Sequence, residues 1–181
     1  MTPASPHPTA LFAVLLLLAA VAVAQPGGTI HLYSDPAFTD TTATDVAPGP
    51  LSVYVVWKGG PPGAVAWWFK LSESPGFTGV WTGDTPHTGG VFGDTRTGIH
   101  LVDVSCLASP AHIVTVTYQL LGTSLPCQTV SVVQADGAGV RMNSCDSGGM
   151  VARGGALVVN PDGCSVPLER RTWGSVKAQY R

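Results

Sequence analysis

The chain has 181 residues, with nine Lys and Arg against eleven Asp and Glu, a net charge of −2. That balance offers no basic field for nucleic acid, and so few charges leave a surface of Thr, Ser, Gly and Pro, as is common outside cells.

Along the chain, an apolar run over 10–23 ends in Ala22-Val23-Ala24, which predicts an export signal over 1–24 cleaved between Ala24 and Gln25. The stretch before it carries no Lys or Arg. At about 14 residues the run is short of the roughly 20 needed to cross a bilayer, so no transmembrane segment is expected. The expected location is secreted, either extracellular or in the periplasm or cell envelope. What remains suits one domain over 25–168 and a tail over 169–181.

Short β-branched and aromatic runs separated by Gly, Pro, Asp and Thr recur through the domain, and none before residue 171 has a helical period. They predict strands over 29–33, 51–58, 64–72, 79–82, 98–104, 112–120, 128–134, 140–143 and 156–160. Over 64–72, Val65, Trp67, Phe69 and Leu71 take one face and Ala66, Trp68, Lys70 and Ser72 the other. Over 112–120, Val114, Val116, Tyr118 and Leu120 face inward, with Thr115, Thr117 and Gln119 outward. The expected fold is all-β: a two-sheet antiparallel sandwich of immunoglobulin-like or fibronectin-like layout with a short C-terminal helix. A closed barrel is the alternative. The 51–58 strand lacks a cysteine, so the disulfide that staples antibody domains is absent.

All four cysteines, Cys106, Cys127, Cys145 and Cys164, lie in the exported part and predict two disulfides. No Cys-x-x-Cys unit supports zinc. If successive strands alternate in direction, with a reversal at Asp136-Gly137, Cys127 shares one end with Cys145, and Cys106 shares the other with Cys164. The two other connectivities stay open, because one misread crossover inverts the sorting.

Cys145-Asp146-Ser147-Gly148-Gly149 resembles the surroundings of the nucleophile in chymotrypsin-like proteases. The chain is too short for their double barrel, and His112 opens a strand with its own packing role, so a polar turn is the better reading. There are two glutamates, Glu73 and Glu169, so a carboxylate pair would need aspartates. Asp35, Asp40 and Asp45 punctuate one Thr-rich loop; Asp84 and Asp94 bracket another with His87. Both suit turns better than calcium. No metal, cofactor or catalytic residue is assigned. Adjacent Trp67 and Trp68 must point to opposite faces, which makes Trp68 an exposed candidate contact, with Trp57 and Trp81 possible companions.

In the tail, Thr172 is placed to cap a helix on which Trp173, Val176 and Tyr180 share one face for docking. Thr172-Trp173-Gly174-Ser175-Val176-Lys177-Ala178-Gln179-Tyr180-Arg181 resembles the end of a group of uncharacterised secreted bacterial β-domain proteins that finish in Thr-Trp-Gly-x-Ile/Val-Lys-x-x-Tyr-Arg. The likeness extends through Pro110-Ala111-His112-Ile113-Val114 and Asn160-Pro161-Asp162-Gly163-Cys164. It implies a secreted domain of similar architecture and no catalytic residue. The expected function is a non-catalytic secreted module for adhesion, surface assembly, or glycan or protein binding. The alternative is a small hydrolase using aspartates with His87 or His112. Intact-mass measurement of exported protein is expected to give a chain starting at Gln25, and thiol labelling to find no free cysteine; retention of the apolar run overturns the export reading.

Overall fold

The computed structural model describes residues 27–164, apart from 46, 61, 138 and 147. The expected export signal, Ser147 and the tail with Thr172, Trp173, Val176 and Tyr180 lie outside the described residues. Twelve strands are described: β1 Thr29–Tyr33, β2 Thr42–Ala43, β3 Gly49–Lys58, β4 Ala64–Glu73, β5 Gly79–Pro86 and β6 Gly90–Asp94. Then follow β7 Gly98–Leu107, β8 Ala111–Leu120, β9 Gln128–Val133, β10 Val140–Ser144, β11 Gly148–Gly154 and β12 Ala156–Val159. A 3-10 turn, Pro161–Gly163, closes the described chain, and no α-helix occurs among the described residues.

The strands form one open mixed sheet folded over on itself, in the order β2-β12-β9-β4-β10-β11-β1-β3-β8-β5, with β7 on the second edge of β4 and β6 beyond it. The front layer is β1-β3-β8-β5, and the back layer is built around β4. Two pairs are parallel, β1 with β11 and β2 with β12. This corrects the expectation of a purely antiparallel sandwich: β1 runs antiparallel to β3 and parallel to β11, and so joins the two layers. At that junction a side chain on Gly154 would collide with the Val132 carbonyl.

Burial follows the alternation read from the sequence except at the start of β4, where Val65, expected inward, is half-buried and Ala66, expected outward, is buried, at a register shift against β7 between Ala64 and Ala66. Trp67, Phe69 and Leu71 of β4 and Val114, Val116, Tyr118 and Leu120 of β8 are all buried. They meet Ile30, Leu32, Val53, Val55 and Trp57 from the front layer. Trp57 and Trp67 pack across the interior with ring centroids 5.9 Å apart. The Tyr118 hydroxyl donates to Glu73 Oε1 at 2.7 Å, and burial, reinforced by that bond, pushes the phenol pKa up.

The disulfides are Cys106–Cys145 and Cys127–Cys164. This corrects the favoured pairs, Cys127 with Cys145 and Cys106 with Cys164. The reason is that the chain does not reverse at Asp136-Gly137. Val130–Val133 of β9 pairs antiparallel with Lys70–Glu73, and Arg141–Ser144 of β10 pairs antiparallel with Ala64–Trp68. The two strands therefore run in the same direction, one after the other, along a single edge of β4. Cys145 arrives where β4 begins, beside Cys106 at the end of β7, and Cys127 is left at the far end with Cys164. The Cys145 N–H donates to Gly63 O at 3.3 Å. Gly63, at φ 119°, leaves room there, since a Cβ would stand 2.8 Å from Cys106 Sγ.

At the Cys127–Cys164 end, buried Asp45 accepts from the Ser124 N–H and hydroxyl and from Asn160 Nδ2. Non-reducing peptide mapping is expected to recover Cys106–Cys145 and Cys127–Cys164. Replacing Cys106 and Cys145 together with serine should cost about 2–4 kcal/mol in denaturant unfolding. A Cys106–Cys164 peptide overturns the in-line placement of β9 and β10.

Candidate functional site: a cross-strand aromatic ridge

On the outer face of the back layer, register brings side chains from five strands onto one line. Val151 pairs with Arg141, Arg141 with Trp68, Trp68 with His100, and His100 with Phe92. Directly paired residues sit about 4.5–5.5 Å apart, so this rung runs roughly 20 Å across β11, β10, β4, β7 and β6. It is open: Trp68 is 37% exposed, Phe92 66% and Val151 62%.

The next rung toward the start of β4 is Gly149, Asn143, Ala66, Val102 and Gly90. Its small members leave a shallow cleft of about 240 Å³ beside the ridge, bordered by Ala66, Trp68, His100, Arg141 and Asn143. Trp68 has neighbours on both flanks. The His100 ring stacks on it at 5.3 Å, and the Arg141 guanidinium lies 5.8 Å from its centroid. Arg141 also pairs with Asp136, Nη2 to Oδ2, at 3.6 Å.

The other two tryptophans do not join this platform. Trp57 is fully buried, its indole N–H donating to Gly27 O at 2.9 Å, which corrects its assignment as an exposed contact. It extends the inward series of Val53 and Val55 on β3, so its face belongs to the core. Trp81 lies on β5, on the opposite layer. It packs against the core, donates to Asp84 Oδ1 at 3.0 Å, and is covered by Arg96 at 4.9 Å. Sequence reading found Trp68 but missed Val151, Arg141, His100 and Phe92. Their relation is a matter of register between strands far apart in the chain, and β6 and β11 are glycine-rich runs read as turns.

The aspartates act as turn braces. Asp35 accepts from the N–H groups of Ala37, Thr39 and Asp40 and from the Thr39 hydroxyl. These bonds hold its carboxyl below the usual range, the one from Asp40 first. Asp94 does the same for Arg96 and Thr97, and Asp84 accepts from Thr95 as well as from Trp81.

On the front layer's outer face, His87 and His112 each place Nε2 at 3.0 Å from Thr115 Oγ1. Among the described residues, neither imidazole has a carboxylate hydrogen-bond partner. The orienting acid that a His-based hydrolase needs is not at either ring. Phe38, at φ 60°, packs on Tyr33, Tyr54 and His112 from the loop that Asp35 braces.

The described fold is similar to that of cohesin modules. Solved structures to which it is similar include the sixth cohesin of scaffoldin B from Acetivibrio cellulolyticus, in complex with a mutant Cel5 dockerin. That match has a TM-score of 0.53 and 12% identity and covers 74% of this chain and 98% of that one. A type I cohesin–dockerin complex from Clostridium thermocellum matches with TM-score 0.51 and 9% identity over 76% and 96% of the two chains. The cohesin module of a family 33 glycoside hydrolase from Clostridium perfringens matches with TM-score 0.50 and 8% identity over 75% and 98%. No protein-family model and no curated protein sequence matches this chain. Among the described residues, no helix is long and apolar enough to cross a membrane.

Burial first, and then the nearby His87, bring the His112 pKa down to about 4. His31 is lowered by burial and then by Lys58. As the pH falls from about 6.5 to about 4, the unfolded chain takes up protons that the folded one resists, so stability declines through this window and is full above it. Partial exposure screens the effect. The lowered carboxyls of Asp35, Asp94 and Asp103 act only below about 3.8. Thermal melts should be level at neutral pH and fall steadily below about 6.5, and His112→Gln should flatten that fall. Equal slopes in both proteins contradict this assignment.

Proposed function

We propose that this chain is a non-catalytic extracellular or cell-envelope module that binds a protein partner through the Val151-Arg141-Trp68-His100-Phe92 ridge. The observation that carries the reading is the rung itself: five exposed or partly exposed side chains in register across five strands, three of them aromatic rings, with a cleft alongside. Aromatic residues and arginine are the side chains that most often anchor protein interfaces. The fold supports the reading, since two of the similar solved structures are cohesins held to dockerin partners. A rigid sheet also presents such a ridge without ordering loops on binding, which lowers the entropic cost of association.

A protein partner fits better than a glycan. Sugar rings stack on an open indole face, whereas His100 and Arg141 flank Trp68 on both sides. Among the described residues no hydrolytic set assembles around the ridge, and the aspartates considered for one are engaged in hydrogen bonds that brace the chain. The export signal expected from the sequence and the resemblance of the tail agree with an envelope or extracellular setting, for surface assembly or adhesion.

The test is capture of partners from the native envelope and medium with the exported protein as bait, followed by surface plasmon resonance on the partner identified. Trp68→Ala should weaken binding at least tenfold, about 1.4 kcal/mol or more, with an unchanged melting temperature. Trp81→Phe should leave binding intact. Equal affinity of Trp68→Ala and the parent overturns the ridge as the interface. Binding on a glycan array that is lost with Trp68→Ala overturns the choice of a protein partner.

A further inference from the structure

We propose that His87 and His112 form a binding site for a late first-row divalent ion, of the Cu(II), Ni(II) or Zn(II) kind, on the outer face of the front layer. The site is separate from the ridge, which lies on the back layer. The main chain fixes where both side chains start. His87 immediately follows β5, and its N–H donates to Ile113 O at 3.0 Å. His112 lies in β8 at a bulge: Val56 pairs with His112 and Val55 with Val114, which leaves Ile113 as the extra residue. Bulges re-aim the side chains beside them.

The two rings lie 3.9 Å apart between centroids, and both Nε2 atoms point at one hydroxyl oxygen, Thr115 Oγ1, each from 3.0 Å. A hydroxyl has a single proton. It can donate to only one of these nitrogens, so the other imidazole has to donate to the oxygen. The apo arrangement therefore holds the rings in opposite tautomers around a common point. An ion near that point would accept a lone pair from each Nε2, with both protons on Nδ1. Nitrogen ligands stand about 2.0–2.1 Å from such ions, so the rings close on the ion as the Thr115 hydroxyl, which holds both nitrogens in its absence, rotates aside or joins the coordination.

The donor type selects the metal. Two imidazoles without a hydrogen-bonded carboxylate suit copper, nickel or zinc, whereas calcium and magnesium require oxygen ligands. Phe38 at 5.1 Å and Tyr54 at 5.6 Å pack against the His112 ring, while His87 is exposed. That leaves coordination positions for water or for a side chain from another molecule. With two protein ligands, the affinity expected for Cu(II) is micromolar rather than picomolar.

The experiment titrates the exported protein with Cu(II) at neutral pH, followed by calorimetry and by electron paramagnetic resonance. One equivalent should bind with a spectrum showing two coordinated imidazole nitrogens. His87→Gln and His112→Gln should each weaken binding at least tenfold, and His31→Gln and His100→Gln less than twofold. Circular dichroism checks the fold of each variant; His87 is exposed, so its variant is the informative one if His112→Gln is unstable. Copper bound equally well by His87→Gln and the parent overturns the site, as does the absence of binding by Cu(II), Ni(II) and Zn(II) alike.

Discussion

Everything else in the molecule is arranged around the pairing of β4 along both its edges. One edge takes β7; the other takes β9 and then β10, laid end to end in one direction. A strand paired on both sides exposes no edge and can be hydrophobic on its inner face, so β4 commits Trp67, Phe69 and Leu71 to the core. Removing an aromatic of that size from a packed interior costs about 3–5 kcal/mol. The Trp67 indole N–H has no hydrogen-bond partner among the described residues. An orphaned donor costs about 1–3 kcal/mol, so Trp67 is retained for its packing and not for its polarity.

The same pairing produces the candidate interface. Trp68 is outward because Trp67 is inward, and the strands on either side set what stands next to it. A shift of one residue in β7 or β10 would exchange His100 or Arg141 for a core residue and remove the ridge. The candidate surface is thus a by-product of core register, carried by paired strands and not by loops. The front layer shows the contrasting case: its outer face is roofed by Phe38 over Tyr33, Tyr54 and His112, held there by a loop that one carboxylate, Asp35, organises.

Stability at the two ends of the fold comes from different chemistry. At the start of β4, a disulfide spans from β7 to β10 across Gly63. At the opposite end, Cys127–Cys164 is joined by buried Asp45, which gathers Ser124 and Asn160 from chain segments distant in sequence. A buried carboxylate is tolerable there because its oxygens are met by hydrogen-bond donors. Constraints at both ends suit a domain with no α-helix among its described residues, since chain entropy must be restrained where the sheet frays.

The sequence by itself determined the all-β class, nine of the twelve strands to within a few residues, the inward faces of β4 and β8, and the exposure of Trp68. These are local properties: side-chain alternation has a period of two, and Gly, Pro and Asp mark turns wherever they fall. It missed β2, β6 and β11, whose short or glycine-rich runs pair only because a neighbouring strand offers them an edge. Tertiary structure alone decided the parallel pairs, the in-line course of β9 and β10, and with them the disulfide partners. It also decided that Trp57 and Trp81 serve the core while Val151, Arg141, His100 and Phe92 line up with Trp68, and that His87 meets His112. Each of these depends on which strands are neighbours and in what register, and hydrogen bonding between distant segments is not encoded in any single stretch of chain.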